Sequence, residues 1–280
     1  MLTRDLKRLR RRAFLSTTVL ALVTVALLGS GAPAGAKPRP GDGPPPTVVL
    51  VHGDWADASS WNSVIKRLQR KGFPVVAPPN LLRGPATDAP YLASYLHSIS
   101  GPIVLVAHSY GGMVTTNAAT GNPNVKALVY IDSFMPDEGE TAGALVAGSG
   151  SCIDDSALNP VPFDGGVDLY LRWEANPPYP GFTDCFANGV GPKEAAVLAA
   201  AQRPAAVAQF SEPSGPPAWK TIPSWSLIGT LDNVIPPALQ EEMSSRAGAR
   251  ISRVKAGHLT PITRPALVTK VILSAIDATT

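Results

Sequence analysis

The chain has few charged side chains, few histidines and only two cysteines. Charged residues make up 16% of its 280 positions, and four residues are histidines. Two cysteines cannot supply the four ligands of a typical structural zinc site. The longest apolar run, at 17–28, is shorter than the roughly 20 residues that a membrane-spanning helix needs. We therefore expect no metal, no cofactor and no stable membrane span in the processed protein.

Residues 1–36 have the three-part pattern of an export leader. Arginines come first, the apolar run follows, and Ala34-Gly35-Ala36 forms a small-x-small cleavage signal that would make Lys37 the new N-terminus. The stretch "RRRAFLS" at 10–16 resembles the twin-arginine export signal. An ordinary secretory leader and an uncleaved anchor are the alternatives. We expect a bacterial protein that is secreted or otherwise extracytoplasmic.

The leader also accounts for the basic balance of the chain. It carries six of the 24 basic and one of the 21 acidic residues, so residues 37–280 hold 18 basic against 20 acidic side chains. Nothing in that balance indicates a nucleic-acid partner. Residues 37–46 are rich in proline and glycine and predict a tether, and residues 47–280 are long enough for one α/β domain.

The two cysteines, Cys152 and Cys185, both follow the leader. In an exported protein an even pair is more often bridged than free, so we predict a disulfide and keep two buried thiols as the alternative.

Six short runs rich in β-branched residues alternate with segments of helical character, which is typical of a mostly parallel sheet flanked by helices. The runs are 47–52, 73–78, 102–108, 125–132, 224–229 and 249–254. Helices are predicted at 59–71, 88–99, 110–120, 237–247 and 263–277.

The interval 137–220 interrupts this alternation and holds both cysteines. We interpret it as an insertion over the carboxyl edge of the sheet, between the fourth and fifth strands, with short helices near 166–174 and 192–202.

Ser109 follows the third predicted strand in the sequence A-H-S-Y-G, one residue away from the G-x-S-x-G pattern of a nucleophile elbow. Ala107 replaces the first glycine, and the turn requires a small residue there. A serine that only caps the next helix is the alternative.

A serine needs a histidine to take its proton. His258 follows the last strand, where a loop can return to the elbow, and we predict it as the base. His108 adjoins the serine and should point to the opposite side. His97 lies within a helix, and His52 is expected to brace the loop beside it.

The imidazole in turn needs a carboxylate. Asp232 follows the fifth strand and stands 26 residues before His258. Asp132, at the end of the fourth strand, is its rival. For the oxyanion of a tetrahedral intermediate we predict the amides of Tyr110 and Asp54 as donors, with Trp55 next in line.

The order Ser109, Asp232, His258 with "VLVHG" upstream resembles that of the α/β-hydrolase superfamily over residues 47–280. The stretches "VHGDWADASSWNSVI", "AHSYGG" and "WSLIGTLDNVIPP" are similar to bacterial relatives of the esterase group that includes methyl-salicylate esterases and hydroxynitrile lyases. The resemblance implies a Ser-His-Asp triad and an insertion that caps the pocket.

Asp54 departs from the family pattern, in which a small or apolar residue is common after His-Gly. A carboxylate there would oppose the oxyanion unless it is paired or points away. We expect either a turn-forming residue or a group that selects the substrate. Aromatic side chains, among them Trp55, Phe163 and Trp173, are expected to pack the insertion onto its domain or to line an apolar pocket.

These features predict an exported serine esterase acting on small-molecule carboxylic esters, lactones included, through an acyl-enzyme. A lyase or an acyltransferase would use the same triad, and a non-catalytic binding protein is the remaining alternative.

Overall fold

A parallel sheet of six strands forms the centre of the computed structural model, which describes residues 44–279. The predicted leader and most of the tether lie outside the described residues. The strands are β1 Thr47–Val51, β2 Val75–Val76, β3 Ile103–Ser109, β4 Val125–Ser133, β5 Leu158–Phe163, β6 Gly166–Leu171, β7 Ala205–Ala206, β8 Ser224–Gly229 and β9 Arg250–Val254. The α-helices are α1 Asn62–Gln69, α2 Pro85–His97, α3 Gly111–Ala118, α4 Ala142–Val146, α5 Phe182–Cys185, α6 Pro192–Ala200, α7 Ala208–Ser211, α8 Pro237–Arg246, α9 Thr260–Thr263 and α10 Pro265–Thr279. Short 3₁₀ turns occur at Ala58–Trp61 and Ala218–Lys220.

The large sheet confirms the predicted fold class. Its order is β2-β1-β3-β4-β8-β9, and all neighbouring strands run parallel. Each of these six strands corresponds to one of the six predicted runs. Because all carboxyl ends of parallel strands meet at one edge, the residues that follow β3, β8 and β9 come together there.

Alternate residues of the central strands pack into two cores, one on each face of the sheet. Val48 and Leu50 join α1 and α10 in one core, whereas Val49 and Val51 join α2 and α3 in the other. Every residue of β3 is buried, so Ser109 ends a strand that has no solvent-facing side. The nucleophile candidate is therefore placed at the end of a fully buried central strand.

The insertion between β4 and β8 contains a second, antiparallel sheet of order β5-β6-β7. The helix predicted near 166–174 is wrong, because Gly166–Leu171 is β6, whereas the one predicted near 192–202 is present as α6. Asp164-Gly165 separates β5 from β6, and this two-residue pair is a strong hairpin signal that the prediction missed. Gly165 has φ +98°, which glycine adopts without strain.

Cys152 and Cys185 form the predicted disulfide, with their Cα atoms 5.8 Å apart. The amide of Cys152 donates to the carbonyl of Asn233 (2.8 Å), in the loop after β8. The bridge therefore joins two parts of the insertion next to a segment that follows Asp232.

Removing this bridge is expected to destabilise the fold. The cysteines lie 33 residues apart, and closing a loop of that length stabilises by about 3–4 kcal/mol in the chain-entropy model. We expect the double variant Cys152→Ala/Cys185→Ala to lose that much unfolding free energy in urea. An unchanged denaturation midpoint would contradict a stabilising role.

Within residues 44–279, no helix is both long enough and apolar enough to cross a membrane.

Candidate active site

Ser109 stands on a sharp turn between β3 and α3. Its φ of +56° lies in the left-handed region, which a non-glycine residue enters only where the surroundings enforce it. The carbonyl of Ser109 accepts from Ser133 Oγ (2.8 Å) and from the amide of Phe134 (3.3 Å), both at the end of β4. The neighbouring strand therefore holds the strained turn in place.

Glycines surround this turn because the backbone segments pass too close for side chains. A Cβ on Gly53 would lie 2.5 Å from that of Ser109, and one on Gly111 would lie 2.7 Å from the carbonyl oxygen of Val51. A Cβ on Gly112 would collide with the carbonyl of Phe134. The loop after β1 is thus packed directly against the serine.

The three residues predicted from strand ends are joined by hydrogen bonds. Ser109 Oγ lies 3.0 Å from His258 Nε2, and His258 Nδ1 lies 2.9 Å from Asp232 Oδ2. The side chains of His258 and Asp232 are fully buried. This is the geometry in which a histidine can take the proton of a serine while a carboxylate orients the ring.

Burial sets the protonation of this pair. It lowers the pKa of His258, so the resting imidazole is neutral and can accept a proton. Burial raises the pKa of Asp232, and hydrogen bonds from the amides of Ile235 and Val234 and from the Gln240 side chain oppose that rise.

Because the pKa of His258 is lowered, we expect the enzyme to stay active at pH values below the ordinary pKa of histidine. A general base works only when deprotonated, so kcat/KM should fall only as the pH drops through the lowered pKa. We expect kcat/KM for a neutral ester to stay constant as the pH falls from 7.5 to 6.5, the ordinary pKa of a histidine side chain. If kcat/KM fell to half its maximum at pH 6.5 or above, the expectation would be contradicted.

Asp132, the rival carboxylate, makes different contacts. It accepts from the amide of Gly229 (2.7 Å) and from the amide of Thr260 (3.2 Å), and it makes no hydrogen bond to His258. Those two amides flank the loops that carry Asp232 and His258. Asp132 thus holds both loops, and Asp232 is the carboxylate that contacts the imidazole.

The other histidines have structural partners. His52 Nε2 accepts from the amide of Asn80 (3.0 Å), so it braces the adjacent loop as expected. His108 Nε2 lies 2.8 Å from the carbonyl oxygen of His258, and His97 bonds within its own helix.

Two backbone amides remain available near the serine. The hydrogen bonds of the described residues include none donated by the amides of Asp54 or Tyr110, whereas the amide of Trp55 donates to Arg203 (3.1 Å). Tyr110 precedes α3, so its amide belongs to a helix N-terminus. These two amides stay the predicted oxyanion donors, and the amide of Trp55, the next in line, already has a partner.

Ser109 opens into a small inner cavity of about 20 Å³, which also contacts Trp55 and Phe134. A larger outer pocket of about 730 Å³ lies against the insertion. Both are lined by Val146, Ile153 and Phe210. These three residues form the boundary between the two spaces, and we call them the neck.

Two predicted pocket aromatics lie elsewhere. Phe163 is 49% exposed at the end of β5, and Trp173 is 44% exposed; neither lines the inner cavity or the outer pocket. The β5-β6 hairpin carries Phe163 away from the serine. Of the three predicted pocket residues, only Trp55 lies beside Ser109.

Three polar residues of the site could not be predicted from the sequence. Asn188, from the insertion, donates to the carbonyl of Leu231 (2.5 Å) and accepts from the amide of His258 (3.2 Å). Gln240 on α8 bonds Asp232, and Gln209 lines the inner cavity. None belongs to a motif, and only the packing of the insertion and α8 brings them here.

Part of the chain is similar in sequence to a known esterase. Over 111 residues the chain is 31% identical to a carbendazim hydrolyzing esterase from Nocardioides, covering 35% of this chain and 46% of that enzyme. The chain thus matches about half the length of this relative.

Solved structures cover more of the chain at lower identity. An extracellular alpha/beta-hydrolase from Paenibacillus, described as sharing homology with tobacco salicylic acid binding protein 2, superposes with a TM-score of 0.65 at 22% identity, covering 82% of this chain and 99% of its own. A methylesterase from Arabidopsis gives 0.68 at 16% identity, covering 83% and 99%.

The family model described as the alpha/beta hydrolase family matches residues 48–271. That range contains the elbow, the insertion and the three hydrogen-bonded side chains. The chain belongs to the alpha/beta hydrolase family.

Proposed function

We propose that this protein is an exported serine hydrolase that cleaves small-molecule carboxylic esters, lactones included, through an acyl-enzyme. The observation that carries the proposal is the hydrogen-bonded line from Ser109 through His258 to Asp232, which opens into a largely apolar cavity. The names of the Nocardioides and Arabidopsis proteins support an ester substrate.

In the first half of the reaction Ser109 Oγ attacks the ester carbonyl carbon. Its proton moves to His258 Nε2, 3.0 Å away, and Asp232 stabilises the imidazolium that forms. The carbonyl oxygen gains negative charge, and the amides of Asp54 and Tyr110 are placed to donate to it. His258 then returns the proton to the alcohol oxygen as the bond to the acyl carbon breaks.

In the second half water replaces the alcohol. His258 takes a proton from the water, which attacks the acyl carbon, and the proton passes to Ser109 Oγ as the acid leaves. Each step uses the same proton acceptor and the same oxyanion donors, so no metal or organic cofactor is required.

The test is a panel of esters varied separately in acyl and alcohol parts, offered to the purified protein. We expect hydrolysis together with labelling of Ser109 by an active-site phosphonate. Cyanide release from a cyanohydrin without such labelling would indicate a lyase instead. Ester product in mixed solvent would indicate acyl transfer.

Export is the second part of the proposal. The leader at 1–36 and the Cys152–Cys185 disulfide support it, and the Paenibacillus relative is described as extracellular. Expression in a bacterium with a twin-arginine system should give an extracytoplasmic protein that begins at Lys37. The pair of changes Arg11→Lys and Arg12→Lys should retain it in the cytoplasm, and undiminished export would contradict the twin-arginine route.

A further inference from the structure

The inner cavity contains two polar side chains besides that of Ser109. Asp54 and Gln209 are among its ten lining residues, and the remaining seven are apolar. Asp54 is 6% exposed and Gln209 is 1% exposed. Such groups are costly to bury unless they form hydrogen bonds.

Within the described part of the chain three polar atoms of these two side chains lack hydrogen-bond partners. Asp54 Oδ1 makes no hydrogen bond, and neither does the oxygen or the nitrogen of the Gln209 carboxamide. In a native fold most buried polar atoms have a partner, so three unpartnered atoms at one cavity are unusual. They lie beside the nucleophile, where a bound substrate would meet them.

Burial favours the neutral form of the Asp54 carboxyl. Burial raises its pKa well above the usual range, and the nearby carboxyl of Asp88 raises it further. Asp88 is held by the hydroxyl of Tyr110 (2.9 Å) and by the amides of Arg83 and Gly84. A neutral Asp54 does not oppose the oxyanion, and it can both donate and accept a hydrogen bond.

Gln209 adds a second donor and a second acceptor. Its side chain lies close enough to Asp54 to offset part of the rise in the pKa of that carboxyl, although the geometry between the two groups falls short of a full hydrogen bond. A small neutral group with both a donor and an acceptor could bond both side chains at once. A hydroxyl has this property and fits the limited space.

The position of the cavity indicates which part of the ester carries that hydroxyl. The inner cavity is enclosed by buried residues, and the half-buried neck separates it from the larger outer pocket. The acyl group stays on Ser109 until water releases it, whereas the alcohol must leave first. An enclosed space suits the acyl group, and the outer pocket suits a bulky apolar alcohol.

We propose that Asp54 and Gln209 are specificity-determining residues that select esters of short 2-hydroxy acids by hydrogen-bonding the hydroxyl of the acyl group. This inference rests on the proposed ester hydrolysis at Ser109. It assigns the Asp54 side chain a role in recognition, while its backbone amide serves the oxyanion.

The test compares two esters of nearly equal shape, phenyl glycolate and phenyl propionate, in which a hydroxyl replaces a methyl group. The measured quantity is the ratio of their kcat/KM values, each divided by the rate with hydroxide to remove intrinsic reactivity. We expect a ratio of at least about tenfold in favour of glycolate, because the apolar analogue leaves buried polar groups unpaired.

Variants separate recognition from catalysis. Gln209→Leu and Asp54→Leu should bring the ratio close to one, whereas Asp54→Asn, which keeps a neutral hydrogen-bonding group, should retain most of it. Ile153→Val at the neck is the matched control, and it should change both rates without changing their ratio. Phosphonate labelling of Ser109 in each variant shows that the site is folded.

Three results would overturn the inference. A wild-type ratio near one with Ser109-dependent hydrolysis would remove the selecting role and leave the ester hydrolase intact. A preference seen only between 2-hydroxyethyl acetate and propyl acetate would place the hydroxyl on the alcohol side. Faster hydrolysis of the glycine phenyl ester than of the glycolate would indicate an ammonium ligand. If the wild-type protein hydrolysed none of these esters in a way that depends on Ser109, the proposed function itself would be contradicted.

Discussion

Ser109→Ala is expected to lower kcat/KM for ester hydrolysis by at least about 10⁴-fold, because it removes the hydroxyl that is proposed to form the acyl-enzyme. His258 Nε2 has no other side-chain partner at the site that could replace the serine oxygen. The oxyanion donors and the cavity remain, so a small residual activity should persist. The measurement is kcat/KM for a phenyl ester, with thermal unfolding as the control for folding.

The alanine variant should fold, because the cavity beside Ser109 tolerates the loss of one oxygen. It should also bind esters with little change in affinity while failing to react with a phosphonate. Turnover within tenfold of the wild type would remove Ser109 from the mechanism and with it the proposed serine hydrolase.

Asp232→Asn and Asp132→Asn provide a matched pair for the carboxylate. We expect Asp232→Asn to lower kcat by about 10⁴-fold, since an amide favours the wrong tautomer of the imidazole. Asp132→Asn should cost less than about tenfold, because an asparagine oxygen can still accept from Gly229 and the residue does not contact the ring.

The two variants make the same chemical change at two buried carboxyls, so comparing them cancels the general cost of replacing an acid in the core. The readouts are kcat for a phenyl ester and the denaturation midpoint in urea. Equal losses of activity in both variants would indicate a structural effect. A loss confined to Asp132→Asn would make Asp132 the third member of the triad.

Sequence periodicity determined the central sheet. The six predicted strand runs correspond to the six parallel strands of the sheet. Parallel strands are buried on both faces, so they appear in the sequence as short, nearly continuous apolar runs. The placement of Ser109, Asp232 and His258 followed from the same fact, because each comes at or just after the carboxyl end of a strand.

The secondary structure of the insertion was harder to predict, because its helices and strands are short and no clear hydrophobic period distinguishes them. The segment Gly166–Leu171 is too short to show a clear period, and the Asp164-Gly165 turn is the signal that marks the hairpin. Phe163 and Trp173 could not be placed without knowing which way that hairpin points. An aromatic residue on a short strand is equally compatible with a pocket wall and with an exposed surface.

The sequence by itself indicated the family through the resemblance of its motifs, and it placed the candidate catalytic residues in order because each follows a predicted strand. It also predicted a disulfide between its two cysteines, with two free thiols as the alternative. The tertiary structure decided which carboxylate contacts His258, which amides stay free and which polar side chains line the inner cavity. Those features depend on contacts such as that of Gln209 with the inner cavity and that of Asn188 with the amide of His258. Such contacts join residues far apart in the chain, and no local pattern of residues records them.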